Sequence, residues 1–141
     1  MTSKGPWNAM SDGTLMAEID QLYQHIKETY ARLEPLLVEA LVRAVDDALA
    51  DVWAGTAEPS KRVTHVRFAA YDNDDGTYWD TVPESYILAD DTEVTELAAG
   101  DMVFAIQVDD RALGSIPDAL GPVESGQHLL VDLSARTAFV E

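Results

Sequence analysis

The 141-residue sequence predicts an α+β fold, with an N-terminal helical unit, either one long kinked helix or two helices, packed on an antiparallel sheet of five to seven strands. Three observations predict it. Apolar residues recur at helical spacing from Leu15 to Val52. Beyond Lys61 the period shortens to the alternation of a strand. Clusters of Gly, Pro, Asn and Asp then cut the second half into short segments. A chain of this length buries about two thirds of its unfolded surface, and its 47% apolar content is that of a globular protein. Residues 1–14 are small and polar and read as a flexible tail ahead of a single domain over residues 15–141.

The helical stripe comprises Leu15, Ile19, Leu22, Ile26, Tyr30, Leu33, Leu37, Leu41, Ala44, Ala48 and Val52, spaced by threes and fours, and it is expected to be core. Thr14 is placed to cap its start, with Glu18 and Asp20 near the positive end of the dipole, and Gly55 to end it. Pro35 removes one hydrogen bond and disfavours helical geometry at Glu34, so a kink or a break is expected there. An unbroken helix of this span would be about 60 Å long, against a diameter of roughly 37 Å for a compact domain of this size. The helix therefore bends, breaks, or projects and pairs with a second copy as a homodimer.

A polar linker over residues 56–61 leads to a strand with Val66, Phe68 and Ala70 on one face and His65, Arg67 and Tyr71 on the other. Asn73-Asp74-Asp75-Gly76 reads as a four-residue hairpin loop, with Gly76 free to take a positive φ. That register sets Tyr71 opposite Tyr78 and Asp80 opposite Ala69, and sends Trp79 to the core with Phe68. Leu97 to Asp101 reads as a turn into an alternating strand through Met102, Phe104, Ile106 and Val108, with a short helix over residues 93–99 as the competing reading. The Gly- and Pro-rich stretch over residues 109–126 is expected to be loop with one helical turn after Pro117. A second hairpin, residues 127–133 and 137–140 around Ser134-Ala135-Arg136, closes the chain.

The net charge is -17, from 26 carboxylates against 9 Lys and Arg. From Asp72 to Asp110 there are 12 Asp and Glu and no Lys, Arg or His. Such a surface repels a nucleic-acid backbone, so no nucleic-acid partner is expected. It suits either an acidic face that meets a basic protein or the general surface acidity of a salty cytoplasm. There is no cysteine, which excludes disulfides, thiolate metal sites and a cysteine nucleophile. The N-terminus lacks the apolar run of a signal peptide, so a cytoplasmic protein without a membrane partner is expected.

Motifs for cofactor chemistry are missing. Neither G-x-G-x-x-G nor G-x-x-x-x-G-K-[ST] occurs, nor H-E-x-x-H, nor G-x-S-x-G, and no cofactor is expected. His25, His65 and His128 fall on separate elements without ligand spacing, so no metal site is expected from them. Asp72-Asn73-Asp74-Asp75-Gly76 is rich in hard oxygens, but an EF-hand loop would need acids at the positions of Tyr71 and Val82. His65 shares a strand face with Arg67 and Tyr71, and Asp80 is expected to join them from the next strand. Those four residues are the candidate face for a small ligand or acid-base chemistry.

The segment Leu22-Tyr23-Gln24-His25-Ile26-Lys27-Glu28-Thr29, continuing to Leu33-Glu34-Pro35, resembles the opening helix of the YezG-like family of bacterial antitoxin or immunity proteins, with a looser likeness from Arg67 to Asp80. The resemblance implies a neutraliser that binds a cognate toxin, often a nuclease with a basic cleft. It assigns no individual residues, because such a role rests on a partner-specific surface. Together with the charge pattern, it gives the expected function: a non-enzymatic, protein-binding module whose acidic surface covers a basic partner. Asp72, Asp74, Asp75, Tyr78, Asp80, Asp90 and Asp91 are its candidate contact residues, and Tyr71, Trp79 and Tyr86 are the aromatics nearby.

Overall fold

Residues 8–53, 62–99 and 102–141 are described by a computed structural model. The chain divides into two compact units at Leu33/Glu34, inside the expected domain. Helix α1 (Asp12–Trp53) is assigned without interruption through Glu34 and Pro35, so of the two expected forms the helical unit is one long helix rather than two. Ala31 and Pro35 are both exposed, so the carbonyl that the proline leaves without an amide donor is solvated. The helix starts three residues earlier than the tail reading placed it. Its cap is Ser11 rather than Thr14, the Ser11 hydroxyl accepting the Thr14 amide at 3.3 Å. Gly55 and the linker of residues 56–61 lie outside the described residues.

Among the described residues of the first unit the helix is the one regular element, and its stripe is not core there. Leu22, Ile26 and Tyr30 are exposed, as are Met16 and Tyr23 beside them. In the second unit the helix buries Leu41, Val42, Val45 and Leu49, with Leu37, Val38, Ala44 and Ala48 partly buried around them. Burial thus centres one position round from the expected Ala44 and Ala48, where the larger valines and leucine fill more of the core. Each such side chain removed from water stabilises the fold by about 1.5–3 kcal/mol.

Opposite the helix lies a six-stranded antiparallel sheet. Its strands are β1 (Val63–Asn73), β2 (Gly76–Trp79), β3 (Ser85–Leu88), β4 (Glu93–Val94), β7 (His128–Asp132) and β8 (Thr137–Val140). The order is β4-β3-β1-β7-β8, with β2 also on β1. A bulge between Val63 and His65 lets Val63 and Val66 both face the core. From there alternation holds: Val66 and Phe68 are buried beside Leu129 and Val131 of β7 and Tyr86 of β3. Ala69 and Arg67 accept amides from Asp80 and Glu84, so β2 and β3 lie along the same edge of β1, separated by residues 81–83.

Several expectations are corrected here. Asn73 pairs with Gly76, so the first hairpin turns on Asp74 and Asp75 alone, a two-residue loop, with Gly76 at φ 151°. Leu97–Ala99 is strand β5, paired with β6 (Met102–Phe104), instead of a turn, and no helix forms over residues 93–99. Ile106 and Val108 are buried as expected but lie outside β6 in irregular chain. Ordering this segment falls partly to Tyr86, a fully buried core residue rather than an interface aromatic, whose phenol oxygen accepts the Ile106 amide at 3.0 Å. The stretch read as loop carries α2 (Asp110–Gly114) before the expected turn α3 (Pro117–Leu120). Asp109 caps α2 by accepting the Arg111 amide at 2.9 Å.

The β7–β8 turn ties the sheet to the helix. Asp132 accepts the Ser134 and Ala135 amides at 3.0 and 2.9 Å, which sets Arg136 at φ 56°. Arg136 then forks onto Glu39 of α1 with bonds of 2.6 and 2.9 Å and reaches Asp46 at 3.4 Å. Its hydrogen bonds, with help from Arg43, lower the Glu39 carboxyl from 4.5 to about 2.

Three outcomes are expected. Between pH about 4.5 and about 2 the unfolded chain binds a proton at residue 39 that the folded chain refuses, so the stability Glu39 supplies above this window is lost as pH falls through it. Urea midpoints across that range should drop less steeply for Glu39→Gln than for the native chain. Tyr86→Phe leaves the buried Ile106 amide without its acceptor and should cost about 1–3 kcal/mol in denaturant unfolding. Because burial raises the Tyr86 phenol, the native chain should also lose stability as pH rises past the ordinary tyrosine range, a slope that Tyr86→Phe lacks.

Candidate functional site

Two arrangements lie along β1, one of paired polar side chains and one of acids that, among the described residues, belong to no ion pair. On the face turned away from the helix, His65 pairs with Asp132 across the register at 3.2 Å, while its Nδ1 meets the Thr64 hydroxyl at 2.9 Å. The Ala135 amide, more than His65, holds the Asp132 carboxyl below its usual range. Arg67 donates to Glu141 at 2.9 Å and pairs with Glu93, which also accepts the Ser85 hydroxyl at 2.7 Å. His128 meets Glu84 at 2.7 Å. A cavity of about 440 Å³ lies among Arg67, Glu84, Glu93, His128 and Glu141.

The four residues expected to share a ligand face do not converge. Of His65, Arg67, Tyr71 and Asp80, Arg67 alone lines that cavity. Asp80 turns its carboxylate back onto the Val82 amide at 3.0 Å, although its backbone does pair with Ala69 as the register required. Tyr71 lies four residues along the strand, opposite Tyr78. His25 is exposed on α1. Among the described residues no three His, Asp or Glu side chains are grouped to hold a metal ion. No helix among them is long and apolar enough to cross a membrane.

The acidic candidates separate into two groups. Asp72, Asp74, Asp75, Tyr78 and Asp80 gather on the β1–β2 hairpin, at the Asn73 end of β1. Asp90 and Asp91 occupy the β3–β4 turn, at the Val63 end, because Val63 pairs with Leu88. Ten steps of strand rise put these ends about 30 Å apart. Asp90 is spent locally, its carboxylate accepting the Thr92 amide at 3.1 Å and held below its usual range by Thr92, while Asp91 takes φ 66° in the turn.

On the hairpin, Asp72 accepts the Thr77 hydroxyl at 2.9 Å and the Ser125 hydroxyl at 2.9 Å, fixing the hairpin to the segment before β7. Tyr71 and Tyr78 remain 44% and 40% exposed, with ring centroids 5.9 Å apart and planes tilted by 39°. The Tyr78 hydroxyl donates to the Asp75 carbonyl at 3.4 Å. Partial burial first, then Asp75, raises the Tyr78 phenol. Trp79 is 95% buried in the core by its 5% exposure, and among the described residues its indole N–H has no acceptor.

A cavity of about 350 Å³ opens beside the tyrosines, lined by Tyr71, Asp75, Tyr78 and Trp79 on one side and by Asp110, Leu113, Gly114, Pro117 and Val123 on the other. Sequence reasoning found the first wall and missed the second, which α2 and α3 supply. The acid pair Asp109-Asp110 ahead of Arg111-Ala112-Leu113 is the cap signal that would have revealed α2.

No family model, curated protein or solved structure matches the chain.

Gly76 shapes this end of the molecule, since a Cβ there would lie 3.3 Å from the Tyr78 hydroxyl at a φ that side chains rarely adopt. Gly76→Ala should destabilise the protein by about 1–3 kcal/mol in chemical denaturation. It should also shift the Tyr71 and Tyr78 ring resonances in NMR spectra, while those of Phe68 in the core stay in place.

Proposed function

We propose that this protein is a non-enzymatic binding module, and that it captures a basic protein partner with the β1–β2 hairpin. One observation carries the reading: two half-exposed tyrosines stand side by side among Asp72, Asp74, Asp75 and Asp80, within a stretch of chain free of Lys, Arg and His. Aromatic anchors give such a contact its affinity. The surrounding one-signed charge steers the partner in and rejects acidic competitors. The likeness of Leu22–Pro35 to the YezG-like family gives the partner a class, a toxin with a basic cleft, and the protein an immunity or antitoxin role. A site for a small ligand at Arg67 is disfavoured, because Arg67 is already held by Glu93 and Glu141. The exposed Met16, Leu22, Tyr23, Ile26 and Tyr30 support pairing with a second copy through the N-terminal helix.

The test is capture from the source cell's lysate at low and high salt, followed by affinity measurement with the purified partner. A basic protein held at low salt and released at high salt is expected. Asp75→Lys should weaken it at least tenfold, and Asp90→Lys, the same charge change at the far end of β1, should leave affinity within about twofold. Equal effects of the two reversals, or none from either, would remove the hairpin from the interface.

A further inference from the structure

The hairpin cavity has a composition that selects its occupant. Tyr71, Tyr78 and Trp79 contribute three aromatic side chains to its lining, and Asp75 and Asp110 two carboxylates. No Lys, Arg or His lines it, and among the described residues neither carboxylate belongs to an ion pair. Among the described residues, two other cavities differ on this point: one of about 690 Å³ along α1 contains Arg43 and Arg111 beside its own acids, and the one of about 440 Å³ contains Arg67 and His128. A site that combines π faces with uncompensated negative charge favours a cation that gives up water easily. Guanidinium fits that description better than ammonium, since it is planar, weakly hydrated and stacks on aromatic rings. A volume of about 350 Å³ accommodates one arginine side chain.

We propose that this cavity is an arginine-binding pocket, and that an arginine of the basic partner enters it when the partner docks on the hairpin. The proposal rests on the reading of the hairpin as the docking surface, and it adds a specificity: arginine over lysine at the centre of the contact. Tyr71 and Tyr78 supply the π surface. Asp75 and Asp110 face the fork of N–H donors from the two walls, one on the hairpin and one on α2.

Gly114 provides a test that leaves the aromatic and acidic walls untouched. It lines the cavity, a Cβ built on it meets nothing within 4 Å, and its φ lies outside the left-handed region. Gly114→Leu should therefore fold normally and fill the pocket. The probe is Nα-acetyl-arginine amide, followed by the indole and amide NMR shifts of the native chain, with Nα-acetyl-lysine amide as its competitor. Saturable millimolar binding of the arginine probe that perturbs the Trp79 indole and Tyr78 amide is expected, with the lysine probe at least fivefold weaker. Gly114→Leu and Tyr78→Ala should each reduce it at least tenfold. Asp110→Asn should reduce it severalfold, whereas Asp118→Asn, the same charge change in the first turn of α3 away from the cavity, should leave it within about twofold.

Binding of the probe undiminished in Gly114→Leu, or equal binding of the lysine probe, would overturn the pocket. The docking reading fails separately. If Gly114→Leu retains full affinity for the partner while Asp75→Lys loses it, the hairpin docks without an arginine in the cavity, and the pocket alone is wrong.

Discussion

The second unit depends on one fit, the apolar side of α1 from Leu37 to Leu49 against the inward face of β1 and β7. Leu41, Val42 and Val45 on the helix and Val66, Phe68, Leu129 and Val131 on the sheet are all fully buried. A slip of one residue in β1 would move its whole apolar set to the outside, so this contact fixes the register of every strand paired to it. It also obliges the alternate residues, His65, Arg67, His128 and Asp132, to face away from the core, where His65 meets Asp132, His128 meets Glu84 and Arg67 pairs with Glu141.

Charge imposes the second order of organisation. With 26 acids and 9 bases the chain cannot neutralise itself residue by residue. Arg67 and Arg136 each hold two carboxylates, one fastening the sheet to its β4 edge and to the chain end, the other fastening a turn to the helix. Placing the arginines there leaves the hairpin acids without ion-pair partners among the described residues. The acidity of the hairpin is thus a matter of where the few cations went as much as of where the acids are.

Much of the fold was legible because periodicity is a local property. The alternation of Val66, Phe68 and Ala70, the place of the first hairpin though not its two-residue turn, and the facing pair Tyr71 and Tyr78 all follow from spacing alone. The helix cap was misread because Ser11 and Thr14 stand three apart, so either satisfies the capping pattern, and the structure uses the first to bind the amide of the second. The core position of Tyr86 was obscured by its acidic neighbours, for a residue in a short strand is assigned to a face only once its partner is known. The far wall of the cavity was invisible for a related reason: Asp110, Leu113, Gly114 and Val123 come from helices and loops that carry no alternation and reach the tyrosines only through the tertiary fold.

The gap between β2 and β3 bears on how the molecule moves. Residues 81–83 leave the edge of β1, where Thr81 accepts the Val108 amide at 2.9 Å and Pro83 is buried, so the ladder along that edge is broken in two. Opening the hairpin requires undoing the four residue pairs of β1 with β2, while the pairs that β1 makes with β3 and β7 stay closed. Trp79 ties that segment to the core and Asp72 ties it to Ser125, so two anchors rather than a continuous ladder hold the end of the sheet that carries the tyrosines.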